Sequence, residues 1–203
     1  MTDTTTHWQN VYETKDVHEV SWFQAEPTVS LRLITTHSTT TASVVDCGGG
    51  ASLLVDQLLN RGYTDVTVVD VSSRALDVVR QRLADADRTA NLVTAALPDW
   101  TPQRTFDVWH DRAAFHFITN PSDQSRYVEL VASAVTLGGH VIIGTFAEDG
   151  PTHCSGLEIA QHSADQLAAR FADHFELIHH EREEHVTPNA AIQRFTWVVL
   201  KRR

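Results

Sequence analysis

Residues 44–52, Val-Val-Asp-Cys-Gly-Gly-Gly-Ala-Ser, place three glycines directly after a short apolar run. The segment that follows, residues 51–60, repeats leucine at helical spacing and stops before Gly62. A strand that runs through a glycine turn into a helix lets a ligand approach the backbone closely at the carboxyl edge of a parallel sheet. The stretch therefore predicts an α/β fold whose ligand site lies at the glycine turn.

The rest of the chain repeats this alternation of short apolar runs with amphipathic segments, which is typical of a parallel sheet covered on both faces. Further strands are predicted at residues 66–69, 91–94, 106–109 and 140–146. Two final runs, residues 175–179 and 192–200, are joined by about a dozen residues and predict an antiparallel pair. The length of 203 residues suits one domain. We expect a single α/β domain with a mixed, mainly parallel seven-stranded sheet, a C-terminal antiparallel hairpin and helices on both faces.

The composition excludes several classes of protein. Lys and Arg number 16 against 26 Asp and Glu, a net charge of −10, whereas a general nucleic-acid binder needs a basic surface. No run approaches the roughly 18 apolar residues of a membrane helix, and the first residues lack the features of a secretory signal peptide. Two cysteines cannot make a disulfide framework or a four-sulfur zinc site. We expect a cytoplasmic protein without nucleic-acid or membrane partners.

Three ligands compete for the glycine turn. A triphosphate fits poorly because the Gly-Lys-Ser/Thr end of a phosphate-binding loop is missing. A dinucleotide wants a third glycine where Leu53 stands, and the Asp46 carboxylate is unfavourable beside a pyrophosphate. The same carboxylate is favourable beside a cation, and S-adenosylmethionine carries an ammonium and a sulfonium. Asp70, after the second predicted strand, is placed to accept hydrogen bonds from two ribose hydroxyls. S-adenosylmethionine is therefore the predicted cofactor.

Three motifs point to a known family. They are Asp-x-Gly-Gly-Gly-x-Ser at residues 46–52, Asp-Val-Ser followed by Ala-Leu at 70–76, and Leu-Gly-Gly-His at 137–140 before a predicted strand. Together they resemble the class I S-adenosylmethionine-dependent methyltransferases, and the resemblance covers nearly the whole chain. It implies a single Rossmann-like domain that uses S-adenosyl-L-methionine and releases S-adenosyl-L-homocysteine.

The N-terminal aromatic residues suggest a subgroup. Those at residues 7–12 and 22–23 are similar to the branch that contains the eukaryotic lysine methyltransferases of elongation factor 1A. Small bacterial enzymes of this kind share them, and also share the stretches at 109–113 and 154–156. The resemblance therefore extends to this branch.

The resemblance assigns the cofactor to a defined set of residues. Those residues are Trp8, Tyr12, Trp22, Asp46, Gly48, Gly50, Ser52, Asp70, Val71, Leu97 and His110. The two glycines and Ser52 are expected along the methionine part, with Asp46 near its ammonium. Asp70 is expected at the ribose and Val71 against the adenine. Family members often carry an acidic residue near the adenine amino group, and because this chain has Ala96 there, backbone or another side chain must hold that group.

The N-terminal segment, residues 1–42, is predicted to be a helical lid over a methyltransferase core at residues 43–203. Trp8 and Tyr12 lie four residues apart, so a helix brings both rings to one face. Two interpretations stay open for them: the rings cover the sulfonium through cation–π attraction, or they pack into the protein core. Trp22 suits either interpretation, and equally suits a wall of the substrate pocket.

Ionisable side chains follow the fourth predicted strand, where this architecture presents groups to the transferred methyl. The candidate catalytic residues are His110, Asp111 and His116. His116 or Asp111 is the general base if the acceptor arrives protonated. The alternative is structural: Asp111 and Arg112 pair with each other or with backbone, and His116 packs on a helix. The predicted substrate contacts are Phe23, Arg112 and Cys154. No histidine pair shows a recognised zinc spacing, so no metal is predicted.

The predicted function is methyl transfer to an N, O or S nucleophile of a small-molecule acceptor, because the chain has no evident module for holding a macromolecule. The nearest alternative is a protein-lysine methyltransferase, although lysine-methylating relatives commonly carry an acidic residue at the position of His116. A cofactor-binding module without catalysis is a second alternative. A third is an NAD-dependent reductase, which Leu53 and Asp46 disfavour.

Overall fold

Seven strands form one sheet through the centre of the computed structural model, which describes residues 4–203. Residues 1–3, the start of the predicted lid segment, lie outside the described residues. The helices are α1 (Thr4–Thr14), α2 (Thr28–His37), α3 (Leu54–Asn60), α4 (Ser73–Asp85), α5 (Pro121–Ala134) and α6 (Ala164–Phe171). The strands are β1 (Ser43–Cys47), β2 (Asp65–Asp70), β3 (Asn91–Thr94), β4 (Phe106–Arg112), β5 (Val135–Phe146), β6 (His153–Cys154), β7 (Leu157–Glu158), β8 (Phe175–Val186) and β9 (Ile192–Arg202).

The strand order is β3-β2-β1-β4-β5-β9-β8, and β6 and β7 form a separate two-stranded ribbon. Pairing is parallel from β3 to β5, whereas β9 is antiparallel to both β5 and β8. The prediction of a mixed, mainly parallel seven-stranded sheet with a C-terminal antiparallel hairpin is confirmed. The winding of the sheet reverses between β1 and β4, and ligands of open α/β sheets bind at such a reversal.

Apolar side chains cover both faces of the sheet. On one face, Leu58 of α3 and Val79 of α4 pack in the same cluster as Val44 of β1. On the other face, Val131 of α5 packs in the cluster that contains Val45, the next residue of β1. Successive residues of a strand point to opposite faces, so the two clusters confirm the prediction of helices on both sides.

β4 runs three residues beyond its predicted end at Trp109. His110, Asp111 and Arg112 therefore lie within the strand rather than after it, and their side chains alternate between its faces. The strand continues because β1 offers pairing partners as far as Cys47 and β5 does so as far as residue 144. This alternation decides which of the polar residues can reach the site.

α5 ends at Ala134, and β5 begins at once, five residues before the predicted strand at 140–146. Gly138 and Gly139 consequently lie inside β5 and do not end α5. A Cβ on Gly139 would lie 2.9 Å from the carbonyl oxygen of Asp107. Glycine at this position therefore permits the close approach of β5 to β4.

β8 is much longer than the predicted strand 175–179, which shortens its connection to β9 to residues 187–191. The charged residues at 181–184 hide this strand from an apolar pattern. β8 is an edge strand with β9 as its partner in the sheet, and edge strands commonly carry charges. The predicted connection of about a dozen residues is therefore too long.

The predicted helical segment at the N-terminus contains two helices, and residues 15–27 separate α1 from α2. Trp22 and Phe23 lie in that connection. α3 begins later than predicted, and the Ser52 hydroxyl accepts a hydrogen bond from its first residue, Leu54, at 3.1 Å. Among the described residues, no helix is long and apolar enough to cross a membrane.

Candidate functional site

Two neighbouring cavities lie at the carboxyl ends of β1, β2 and β4. The larger has a volume of about 440 Å³ and extends from Asp70 to Cys154. The smaller has a volume of about 50 Å³ and is bordered by Asp46 and His110. The residues that border both cavities are Tyr12, Trp22, Gly48 and Arg112. The larger cavity is in the size range of small-molecule sites.

The glycine turn after β1 has the left-handed backbone conformation that glycine favours. Gly48 has φ +67° and Gly50 has φ +53°. The N–H groups of Gly48 and Gly49 donate to the carbonyl oxygen of Val69 on β2, at 2.8 and 3.2 Å. A Cβ on Gly48 would lie only 2.4 Å from the Cβ of Ala114. The turn is therefore packed tightly between β2 and the segment after β4.

Asp70 ends β2 with its carboxylate buried below the turn. Its Oδ2 accepts a hydrogen bond from Gly50 N–H at 2.9 Å, and Oδ1 accepts one from Ser72 N–H at 2.8 Å. Burial raises the pKa of Asp70 to about 6, although both hydrogen bonds favour the charged form. A carboxylate has about four lone-pair sites, so capacity for two ribose hydroxyls is left. Asp70 borders the larger cavity and suits the ribose contact.

Tyr12 of α1 covers the glycine turn. A Cβ on Gly50 would lie 2.2 Å from the Tyr12 hydroxyl oxygen, so glycine allows α1 to come this close. Burial and the Asp70 carboxylate raise the pKa of the Tyr12 phenol, which is uncharged at neutral pH. Gly50, predicted to line the methionine part of the cofactor, lies under Tyr12 and borders neither cavity.

Gln9 joins α1 to the first turn of α4. Its side-chain oxygen accepts hydrogen bonds from the Ser72 hydroxyl at 3.0 Å and the Arg74 N–H at 3.2 Å. Its amide donates to the Ser73 hydroxyl at 2.8 Å. Gln9 was not predicted, because a glutamine on a surface helix gives no local signal of a partner 63 residues away.

Trp8, Trp22 and Phe117 form an aromatic wall of the larger cavity. The Trp8 ring meets Trp22 and Phe117 edge-on, with centroids 5.6 and 5.1 Å apart. The Tyr12 ring lies 6.4 Å from Trp22. The rings pack on one another and also border the cavity, so the arrangement suits both interpretations of these residues.

Asp46 and His110 form a buried pair beside the smaller cavity. Nδ1 of His110 lies 2.7 Å from Oδ1 of Asp46, and Nε2 lies 2.9 Å from the Ser30 hydroxyl. Both ring nitrogens are engaged, which does not support His110 as a catalytic base. The other Asp46 oxygen faces the turn, since a Cβ on Gly49 would lie 2.6 Å from it. Ser30 of α2 was not predicted, because its partner is 80 residues away.

Ser52 and Phe23 border the smaller of the two cavities and not the larger. Ser52 lies beside the turn, where its hydroxyl accepts a hydrogen bond from the Leu54 N–H. The Phe23 ring contacts His18 edge-on at 5.0 Å between centroids. Phe23, predicted at the substrate, thus lies on the side of the glycine turn.

Asp111 is fully buried in β4, and its side chain lies on the face opposite to that of His110. Its carboxylate accepts hydrogen bonds from the N–H groups of Ala114 and Phe115, at 3.0 and 3.1 Å, and from the Tyr127 hydroxyl at 2.5 Å. It borders neither cavity. The geometry does not support Asp111 as the general base, because its carboxylate holds the turn after β4.

His116 is fully buried in the short 3₁₀ turn Phe115–Phe117. Its ring packs against Phe117 and Phe146, with centroids 4.4 and 4.8 Å apart. Neither ring nitrogen has a hydrogen-bond partner among the described residues. Burial, with a smaller contribution from Arg112, lowers the pKa of His116 to about 3. His116 borders neither cavity, so the geometry does not support it as the general base.

Replacing His116 by leucine is expected to make the protein less sensitive to acid. The pKa of this histidine falls from 6.5 to about 3 on folding, so its contribution to stability is complete above pH 6.5 and is lost as the pH falls toward 3. Near pH 5 the loss is about 2 kcal/mol, and His116→Leu removes it. Urea unfolding near pH 5 and near pH 7 measures the difference, with the exposed His153→Leu as control. A His116→Leu protein that binds cofactor but transfers no methyl would restore the general-base role.

Arg112 and Cys154, two predicted substrate contacts, border the larger cavity. Nη1 of Arg112 donates to the Trp22 carbonyl oxygen at 3.0 Å. Burial raises the pKa of the Cys154 thiol to about 11. The thiol is therefore protonated at neutral pH, and Cys154 acts as a wall of the cavity rather than as a nucleophile.

The far end of the larger cavity, beyond Asp70, is bordered by Val71, Ala96 and Leu97. Val71 and Leu97 are thus available for apolar contact with an adenine. Asp99 borders the same cavity and is ion-paired with Arg126. Asp99 is the candidate for the acidic role that Ala96 cannot fill.

The histidines near the site lie in separate environments. His110 is hydrogen-bonded to Asp46, whereas Nε2 of His185 donates to the Ser21 carbonyl oxygen at 2.8 Å. Within residues 4–203, no three side chains of His, Cys, Asp or Glu are grouped so that they could hold a metal ion.

Residues 44–139 match the family model of a methyltransferase domain. The matched region runs from β1 through the glycine turn to the glycines of β5 and includes Asp46, Asp70 and Arg112. It does not include α1 and α2. No curated protein sequence is matched by the chain.

Several solved structures share the fold over nearly the whole chain. One, from work on the conversion of a disulfide bond into a thioacetal group during echinomycin biosynthesis, has a TM-score of 0.81 at 17% identity and covers 98% of this chain and 92% of that chain. The 1,6-didemethyltoxoflavin-N1-methyltransferase of Burkholderia thailandensis has a TM-score of 0.76 at 19% identity, with coverages of 98% and 86%. The N-methyltransferase NodS of Bradyrhizobium japonicum, in complex with S-adenosyl-L-homocysteine, has a TM-score of 0.75 at 13% identity, with coverages of 98% and 99%. These identities establish a shared fold, and the resemblance to the elongation factor 1A lysine methyltransferase branch stays a prediction.

Proposed function

The chain belongs to the class I S-adenosylmethionine-dependent methyltransferases, and we propose that it methylates an N, O or S nucleophile of a small-molecule acceptor. The position of Asp70 carries the proposal: a buried carboxylate at the end of β2 borders a cavity of about 440 Å³ and keeps lone pairs for a ribose. The proposed cofactor contacts extend from Val71 and Leu97 at the adenine to Asp46 and Gly48 at the methionine part. When bound, S-adenosylmethionine supplies an electrophilic methyl group on its sulfonium.

A small acceptor is supported by the size and walls of the larger cavity. Trp8, Trp22 and Phe117 present aromatic surface to it, and such surface suits a flat or apolar molecule. The structurally similar enzyme from Burkholderia thailandensis acts on 1,6-didemethyltoxoflavin, a small molecule. Both observations favour a small molecule over a protein side chain as the acceptor.

The proposed mechanism depends on positioning. Methyl transfer is an in-line displacement, so holding the nucleophile and the methyl carbon in line supplies much of the rate acceleration. Asp111 and His116 face away from the cavities, and the proposed reaction uses neither as a base. An acceptor that arrives with an unprotonated lone pair meets this requirement, and the aromatic wall excludes water from the reacting atoms.

We also propose that α1 is a lid over the cofactor, as part of a lid segment at residues 1–42 over a core at 43–203. Gln9→Ala removes three hydrogen bonds between α1 and α4 and is expected to weaken S-adenosylhomocysteine binding about tenfold. Calorimetric titration measures the loss. Gln103→Ala is the matched control, because the one hydrogen bond of the Gln103 amide within residues 4–203 is to the nearby Thr101 carbonyl oxygen. Equal affinity in the two variants would rule out this anchoring of the lid.

The proposed function is tested first by titrating the purified protein with S-adenosylmethionine, S-adenosylhomocysteine and NAD. Micromolar binding of the two adenosyl ligands without binding of NAD is the expected result. Binding of NAD alone would favour the reductase instead.

A transfer assay then separates the acceptor classes. Methyl-labelled S-adenosylmethionine is incubated with the protein and with a cell extract divided into small metabolites and proteins. Label in the metabolite fraction supports the proposal, whereas label confined to protein lysines would replace it by a protein-lysine methyltransferase. Tight cofactor binding with no transfer to either fraction would favour a non-catalytic binding module.

A further inference from the structure

Arg112 ends β4 at the junction of the two cavities, and no ion pair within residues 4–203 neutralises it. Its Coulombic neighbours include Glu183 and Asp46. The Glu183 oxygens accept hydrogen bonds from Gln24 at 3.0 Å and Trp197 at 2.7 Å, and Asp46 is paired with His110. The nearby carboxylates are therefore engaged by other donors.

The surroundings of the guanidinium leave one edge without a partner. Nη1 is bonded to the Trp22 carbonyl oxygen, and Cζ lies 4.7 Å from the centroid of the Phe195 ring. Nε and Nη2 are buried and have no hydrogen-bond partner among the described residues. The N–H groups of Nε and Nη2 point in the same direction, and this parallel pair of donors matches the two oxygens of a carboxylate.

A buried arginine in this condition is costly to the folded protein. Removing a charge from water is unfavourable unless an opposite charge and hydrogen bonds compensate it. Burial accordingly lowers the pKa of Arg112, although a guanidinium keeps its proton at neutral pH. The protonated Cys154 thiol beside it supplies no negative charge. Glu183 and Asp46 offset part of this charge, but among the described residues no carboxylate accepts a hydrogen bond from Nε or Nη2. These two donors are therefore left for the carboxylate of a ligand.

We propose that the Nε–Nη2 edge of Arg112 binds a carboxylate of a ligand, carried either by the methyl acceptor or by the methionine part of the cofactor. The assignment of the ligand as acceptor or cofactor rests on the proposed function, whereas the binding of a carboxylate does not. If the acceptor is the source, the substrates of this enzyme are organic acids, held at the point where the two cavities meet.

The direct test uses acetate as the probe and thermal unfolding as the measurement, at constant ionic strength against chloride. Acetate is expected to raise the Tm of the wild-type protein by about 3 °C at concentrations well above its Kd. Arg112→Met is expected to lose this shift. Arg126→Met is the matched control, because Arg126 borders the larger cavity but is exposed and paired with Asp99 and Asp123.

The source of the carboxylate is distinguished in the presence of S-adenosylhomocysteine. If the acceptor supplies it, acetate still raises the Tm of the saturated complex, and Arg112→Met keeps its S-adenosylhomocysteine affinity within about threefold. If the cofactor supplies it, saturation abolishes the acetate shift. Arg112→Met then weakens S-adenosylhomocysteine binding at least roughly thirtyfold, but leaves 5′-methylthioadenosine, which has no carboxylate, unaffected.

Equal acetate shifts in the wild type and Arg112→Met, or no shift beyond that of chloride in the wild type, would overturn the proposal. Arg112→Lys is the second variant, in case Arg112→Met does not fold, because lysine keeps the positive charge and removes the parallel pair of donors. Its acetate-induced rise in Tm is expected to be less than half of that of the wild type. The acetate measurement needs no cofactor. A failure of S-adenosylhomocysteine to bind would therefore overturn the proposed function and leave the carboxylate site standing.

Discussion

Gly48→Ala is expected to weaken S-adenosylhomocysteine binding at least about a hundredfold and to destabilise the protein by about 3 kcal/mol. The backbone at Gly48 has φ +67°, which L side chains rarely adopt, and the new Cβ would lie 2.4 Å from the Cβ of Ala114. Neither carbon can rotate away, so the turn itself must shift. Because Gly48 borders both cavities, that shift changes the surface on which we propose that the cofactor lies.

Gly138→Ala is the matched control for the backbone conformation. Gly138 has φ +77°, but a Cβ there would meet no atom within 4 Å. The variant is expected to lose about 1 kcal/mol of stability and no cofactor affinity. Calorimetric titration and urea unfolding of both variants separate the cost of the dihedral angle from the cost of the contact.

A second substitution tests the contact with Ala114 directly. The double variant Gly48→Ala with Ala114→Gly removes the opposing Cβ and keeps the unfavourable backbone angle. It is expected to recover much of the lost affinity and to retain a stability deficit like that of Gly138→Ala. If Gly48→Ala alone binds S-adenosylhomocysteine normally, the turn is not part of the cofactor site.

The centre of the fold could be predicted from the sequence because its signals are local. β1 and β2 are short apolar runs, each followed by a turn or cap that can be recognised within a few residues. Asp70 follows the same rule, since the end of a parallel strand fixes where its side chain lies relative to the sheet edge. The glycines at 48–50 likewise predict a close contact with the backbone, although they do not identify the contacting group.

The catalytic assignments depended on where β4 ends and on which face of the sheet each of its last side chains lies. Local sequence patterns do not show either. The polar residues after Trp109 resemble a loop, but they continue β4 between two partner strands. In a strand, His110 and Arg112 share one face and border the smaller cavity, whereas Asp111 points to the other. A strand three residues longer thus removes Asp111 from the site.

The remaining contacts join residues that are distant in the chain. The Ser30 hydroxyl meets His110 across 80 residues, and Gln9 meets Ser72 across 63. The local sequence around Ser30 or Gln9 does not predict such a distant partner. These contacts follow from the docking of α1 and α2 onto the sheet, which is a consequence of tertiary packing and not of local sequence.

Asp70→Asn is expected to weaken S-adenosylhomocysteine binding about thirtyfold or more at neutral pH. The Asp70 carboxylate accepts backbone hydrogen bonds from Gly50 and Ser72 and, by our proposal, two more from the ribose. An amide replaces one acceptor oxygen by a donor, so it cannot satisfy both backbone groups and the ribose. Some stability is also expected to be lost, because one buried N–H group then faces another donor.

The pH dependence of the wild type provides a second test of the same residue. Burial raises the pKa of Asp70 from 3.8 to about 6, so its carboxylate becomes protonated as the pH falls through 6. Cofactor affinity is expected to fall roughly tenfold between pH 7 and pH 5. The contribution of Asp70 to stability changes in the opposite direction: a raised carboxyl pKa means that the folded state binds the proton more tightly, so this contribution grows as the pH falls from above 6 toward 3.8.

The two opposite trends separate Asp70 from the histidines. Protonation of His116 occurs in the unfolded chain and therefore lowers the stability of the folded protein. Protonation of Asp70 favours the folded state and weakens only the binding of the cofactor. In Asp70→Asn the affinity should therefore be independent of pH between 5 and 7, while the acid sensitivity of unfolding that arises from His116 should persist. His116→Leu should show the reverse combination. An affinity for S-adenosylhomocysteine that falls with pH equally in the wild type and in Asp70→Asn would mean that another group titrates at the cofactor and that Asp70 does not hold the ribose as a carboxylate.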